Sequence, residues 1–163
     1  MMFGFSALYH RVNWKPKVLG LMRRLDHSSI FMMIAGTFTP ICLLVLPMAT
    51  GKNLLMIIWV IAGLGILQSI IFTNMPRLLR ASFYLGAGYI AIPYMSVMSS
   101  FMGYTNFALT VAGGTIYSVG AISYGFKFPD ISPKYFGFHE FFHLLVCIAA
   151  ILHFIVIYSI VGS

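Results

Sequence analysis

Five stretches of this chain, approximately 28–50, 54–73, 81–101, 105–125 and 139–160, run for about 20 residues each with almost no charge. A helix rises about 1.5 Å per residue, so each stretch reaches across the roughly 30 Å of hydrocarbon in a bilayer. Inside lipid a helix satisfies its own backbone hydrogen bonds, and nothing else about these stretches demands water. Composition agrees: of 163 residues, 60% are hydrophobic and 8% charged, more apolar surface than a soluble domain could hide. The expected fold is therefore all-α, a polytopic transmembrane helix bundle forming one domain over residues 1–163.

Turn formers, prolines and charges at Gly51-Lys52-Asn53, Asn74 to Arg80, Gly103-Tyr104 and Phe126 to Phe138 punctuate the stretches, so neighbouring helices should run antiparallel. Pro40 and Pro93 fall inside spans and predict kinks. Gly63, Gly65, Gly86, Gly113 and Gly114 are positions where helices could approach closely. Ahead of the first full span, "MMFGFSALYH" makes about 15 Å of helix, half a crossing. With a basic stretch after it, this segment is not a cleavable signal peptide and reads as the end of a longer helix.

Three acidic residues against ten Lys and Arg leave a net charge of +7. No basic run interleaved with aromatics suggests nucleic acid, so membrane lipids are the expected partners of this charge. If Arg11 to Leu25 is cytoplasmic, then Arg11, Lys15, Lys17, Arg23, Arg24, Arg77, Arg80, Lys127 and Lys134 are all inside and only Lys52 is outside. The C-terminus is then external. Cys42 and Cys147 lie in apolar stretches and read as core side chains without a disulfide.

That topology gathers chemistry from distant segments at one membrane face. His10 closes the half helix, Asp26 sits where the next helix enters, and His139 and His143 open the last. The last two are four residues apart and share one helical face, as two imidazole ligands of one zinc require. His10 supplies a third nitrogen, and Asp26 either holds a water at the metal or binds the metal itself. Three histidines plus water describe an open, catalytic zinc site. Ser6, one turn before His10, is a candidate supporting donor. Against this stand plainer readings: a chance histidine pair, Asp26 as a helix N-cap, and hydrated interfacial side chains. His27 points elsewhere and reads as interfacial, while His153 lies about 15 Å farther along the last helix and cannot reach the same metal. Tyr9, Phe31, Phe38 and the paired methionines read as packing.

"FGFHEFFHLL" also contains the His-Glu-x-x-His pattern of zinc peptidases, with Glu140 as its base. Intramembrane metalloproteases generally add a ligand from an Asp-Gly helix, and no Asp-Gly occurs in the chain.

"FSALYHR", "RLDHSSIFMMIAGTFTP" and "FGFHEFFHLL" together resemble the three signature regions of the hemolysin III proteins, relatives of the progestin and adipoQ receptors. The larger, CREST-type grouping includes alkaline ceramidases, and the resemblance implies a shared zinc-dependent hydrolase core. It makes His10, His139 and His143 the zinc ligands, Asp26 the holder of the metal-bound water and Ser6 its companion, and it gives Glu140 no ligand role. The family fold has seven helices. The resemblance thus implies five full spans here plus a partial N-terminal helix, with the first helix and about half of the second missing. The resulting expectation is an integral protein of a bacterial plasma membrane, hydrolysing a lipid amide or ester bond. The alternatives are a pore-forming cytolysin, a receptor-like signalling protein and an intramembrane metalloprotease.

Overall fold

The computed structural model describes residues 1–132 and 136–162. It consists of seven α-helices: α1 (Met2–Arg11), α2 (Pro16–Leu44), α3 (Met48–Ile71), α4 (Arg77–Tyr89), α5 (Met95–Phe101), α6 (Tyr104–Phe126) and α7 (Phe138–Val161), with a 3-10 turn at Ile92–Tyr94. Among the described residues the only β pairing is an isolated bridge, Ser132 to Phe136, in the loop before α7. The chain is an all-α integral membrane protein. Lys134, counted above among the inside cations, lies outside the described residues.

Four helices, α2, α3, α6 and α7, are long and apolar enough to cross a membrane. The fifth expected span, 81–101, is divided into α4, the 3-10 turn and α5. Pro93 lies in that turn, where its missing N–H and its ring interrupt the helical ladder. Pro40, by contrast, sits within continuous α2. Two hydroxyls beside it, Thr37 and Thr39, donate to the carbonyls of Met33 and Ala35, both at 2.8 Å.

Two boundaries differ from the sequence expectation. Helix α2 begins at Pro16 rather than near residue 28, because proline at the first helical position is preorganised for it and Lys17, Arg23 and Arg24 extend to the polar boundary. Asp26 is thus well inside a helix and caps nothing. The turn between α2 and α3 falls at Val45 to Pro47, and Gly51-Lys52-Asn53 belong to the opening turns of α3.

Hydrophobic driving force between helices vanishes in lipid, so close steric fit must hold the bundle. Along α2 and α3, Phe31, Ala35 and Ile41 pack with Leu54, Ile58 and Ala62, all essentially fully buried. Gly51 lies against the backbone carbonyl of Cys42, and Gly65 against the ring of Phe31. On the other side, α6 packs on α7, with Gly113 against His153 and Gly120 against Phe142 and Leu145. Outward faces carry apolar side chains such as Val60, Leu64, Ile71, Ile151 and Phe154, suited to lipid. Cys42 is buried as expected, but Cys147 is exposed on α7, so only one of the two free thiols is a core residue.

Candidate metal centre

Two helix ends bring the three histidines together. His10 lies in the last turn of α1, and His139 and His143 occupy the first two turns of α7. Gly137, in extended backbone, starts α7. Its N–H donates to the Glu140 carboxylate at 3.0 Å, which fixes the first turn and hence the direction of His139.

The Nε2 atoms of His139 and His143 are 3.1 Å apart, and those of His139 and His10 are 3.3 Å apart. All three residues offer ligand atoms within 4.8 Å of one another, a cluster able to hold a metal ion. Tetrahedral ligands at about 2.0–2.1 Å from zinc stand about 3.3 Å apart, so two of the three separations already match. The chemistry fits as well. His139 Nε2 faces two other ring nitrogens, yet one imidazole nitrogen carries at most one proton, and a cation satisfies all three lone pairs at once.

Asp26 enters from α2. Its carboxylate is 4.0 Å from His10 Nε2, and the residue is only 8% exposed. The Ser6 hydroxyl, one turn before His10, donates toward that carboxylate. Aromatic rings fence the cluster: Tyr9 stands edge-on to His10 at 4.6 Å, and Tyr124 lies 5.9 Å from His139.

The cluster separates two hollows of unlike character. One is a cavity of about 490 Å3 that runs from Ser6, Asp26, His139 and His143 past Met33, Leu85 and Met98 to His153. Its lining is mostly apolar, and it reaches exposed residues of α4 and α6, so it opens onto the side of the bundle. The second hollow, also about 490 Å3, is bordered by His10, Asp26 and His139 and by the polar ends of α2 and α4.

Ser6, His10, Asp26, His139 and His143 are thus brought together. His153 stays apart from the cluster, buried deep in α7 against Gly113 and stacked on Tyr117 at 5.6 Å. Tyr9 does more than pack, since its hydroxyl accepts from Arg23 at 3.2 Å. His27, expected to be merely interfacial, has its Nε2 3.2 Å from the Arg80 guanidinium. Arg23 and Arg80 escaped the sequence reading because they were counted only as markers of orientation.

A family model described as Haemolysin-III related matches residues 1–154. The chain is 40% identical over 124 residues to "Hemolysin-3" of Bacillus cereus, covering 75% of this chain and 55% of that protein. It is 36% identical over 122 residues to "Hemolysin-3 homolog" of Bacillus subtilis, covering 75% of this chain and 57% of the relative. It is also 26% identical over 162 residues to human "Monocyte to macrophage differentiation factor", over 97% of this chain and 65% of that one. The chain therefore matches little more than half the length of its bacterial relatives. No solved structure matches.

Proposed function

This chain belongs to the haemolysin-III-related family, and on that premise we propose that it is a zinc-dependent membrane hydrolase acting on an amide or ester bond of a lipid. One observation carries the reading: three imidazole nitrogens and a buried carboxylate converge at the end of an apolar cavity that opens to the side of the bundle. A soluble substrate has no need of such a cavity, whereas an acyl chain does. Zinc, when bound by His10, His139 and His143, supplies a Lewis acid for the carbonyl oxygen and makes water a better nucleophile.

The remaining work falls to the protein. Asp26 accepts a hydrogen bond from the attacking water and takes up its proton, and its burial keeps that carboxylate from being screened by solvent. Ser6 holds the carboxylate in place. Met33, Leu85 and Met98 enclose the chain and exclude water behind the reacting carbonyl. The concentration of Arg and Lys at the cluster's end of the bundle supports a cytoplasmic site with the C-terminus outside. The Bacillus relatives support a bacterial plasma membrane.

Purified in detergent, the chain should carry about one zinc, and His143→Ala should fall below about 0.3 zinc per chain. Asp26→Asn should keep the metal while lowering fatty-acid release from lipid extracts by about 100-fold or more. A wild-type chain without zinc, or an Asp26→Asn variant with full activity, overturns the assignment.

The name of the bacterial relatives favours a second reading, a pore-forming cytolysin. Dye release from liposomes separates the two. A pore should survive His143→Ala, whereas hydrolysis should not.

A further inference from the structure

The second hollow, on the polar side of the histidine cluster, is lined by three guanidinium groups, Arg23 from α2 and Arg77 and Arg80 from α4, while its lining carboxylate is Asp26. Before any metal is counted, three positive charges against one negative leave a surplus of two.

Two of these arginines are fixed. Arg80, half-buried, donates to the carbonyls of Thr73 and Met75 at 3.2 and 3.1 Å and lies 3.2 Å from His27 Nε2. Arg23, also half-buried, donates to the Tyr9 hydroxyl at 3.2 Å. Arg77 is exposed, with its guanidinium 5.3 Å from the centre of the Phe138 ring. Among the described residues none of the three is ion-paired, the one close acid–base pair being His10 with Asp26. Guanidiniums held partly out of water with a single nearby carboxylate, Asp26, among the three of them are costly, and proteins ordinarily pair them. Each arginine has five N–H donors, and these contacts use three on Arg80 and one on Arg23, leaving donors free to face the hollow.

We propose that this vestibule is a binding site for a phosphate-class dianion, gripped by Arg23, Arg77 and Arg80. Forked guanidiniums match tetrahedral oxyanions in charge and shape, and a dianion offsets two of the positive charges around the hollow, which a single carboxylate does not. The anion is either free phosphate or the phosphomonoester of a lipid headgroup, since a phosphodiester carries only one negative charge. The headgroup assignment rests on the hydrolase reading: acyl chain in the apolar cavity, scissile bond at the histidines, phosphate in the vestibule. The substrate class is then a phosphate-bearing lipid.

The test uses the full chain in an uncharged detergent at about 0.15 M salt, titrated by calorimetry with inorganic phosphate, dihexanoyl phosphatidic acid and uncharged dihexanoyl glycerol. Phosphatidic acid should bind saturably, and Arg80→Gln or Arg77→Gln should weaken it by about tenfold or more. Among the described residues the Arg77 side chain makes no hydrogen bond to the backbone, so its variant keeps the question open to refutation if Arg80→Gln misfolds. Arg24→Gln, an exposed cation outside the vestibule, should change affinity by less than about twofold. Phosphatidic acid binding about tenfold tighter than phosphate supports the headgroup, and equal affinities overturn that assignment while supporting an anion site. No saturable binding of either probe, or an equal loss in Arg24→Gln, overturns the site. Zinc content measured on the same samples keeps the two proposals separate. A zinc-free chain that still binds phosphate sinks the hydrolase alone, and a zinc-bearing chain that does not sinks the vestibule alone.

Discussion

Glycine does opposite things in the two halves of this bundle. Where α2 meets α3, Gly51 and Gly65 let a backbone carbonyl and the Phe31 ring come so close that no Cβ fits between them. Where α4 and α6 border the apolar cavity, Gly88 and Gly114 face open space and line the hollow. In lipid, where apolar side chains lose nothing by leaving one another, contact made possible by missing side chains is what binds helices. The closed region at the α2–α3 seam uses small residues to shut a gap, and the open region at the α4–α6 cavity wall uses Gly88 and Gly114 to keep one, although Gly113 and Gly120 also pack closely against α7. The close fit belongs to the α2–α3 seam, and the histidine cluster borders the open cavity.

Breaking the closed half should have the largest effect. Gly51→Val drives side-chain atoms into the Cys42 carbonyl, and backbone cannot rotate aside as a side chain can. A loss of about 3 kcal/mol is expected, read as earlier unfolding in an SDS titration. Gly65→Val should behave similarly, because Phe31 is 1% exposed and has nowhere to move. Gly63→Ala, on the same helix with nothing near it, should be neutral or stabilising by about 0.5–1 kcal/mol. Equal effects at positions 51 and 63 would remove the distinction between the halves.

Filling the open half should leave stability alone and affect function. Gly88→Leu projects four carbons toward the cavity without meeting a neighbour. Unfolding should shift by less than about 1 kcal/mol and zinc content should not change, while turnover of long-chain lipid falls by about tenfold. If short and long acyl chains lose activity equally, the cavity is not where the chain lies.

This contrast was only partly legible in the sequence. Hydropathy alone located four of the five expected spans, since about 20 uncharged residues in lipid have few alternatives to helix, but it did not show that 81–101 is divided at Pro93. The i, i+4 histidines were equally plain, because helical period fixes their shared face. His10 and Asp26 could be joined to them only by assuming that helices alternate across the membrane, and the structure does bring them within 4.0 Å of each other. The start of α2 was hidden by Lys17, Arg23 and Arg24, whose long stems let a helix continue through the polar boundary. Gly51-Lys52-Asn53 has the composition of a turn, yet Pro47 precedes α3 and the glycine serves packing. Gly65 and Gly88 look alike in sequence, because what distinguishes them is the residue opposite, contributed by another helix.

The smallest effect belongs to the residue that first suggested a peptidase. Glu140 stands in the His-Glu-x-x-His pattern, but it is exposed, lines neither hollow, and spends its carboxylate on the Gly137 N–H at 3.0 Å. That is the work of a helix terminus, where a negative side chain satisfies a free donor and meets the positive end of the helix dipole. Glu140→Gln keeps an acceptor oxygen in place and removes only the charge. Stability should change by about 0.5 kcal/mol at most, and zinc content and lipid turnover should stay within about twofold of wild type. A peptidase base cannot be lost so lightly: removing the group that takes the proton from water costs about 100-fold or more. Measuring turnover of Glu140→Gln beside Asp26→Asn therefore asks which carboxylate serves the water. A collapse at position 140 with activity retained at position 26 would move the chemistry from the hollow to the helix cap and reverse the comparison.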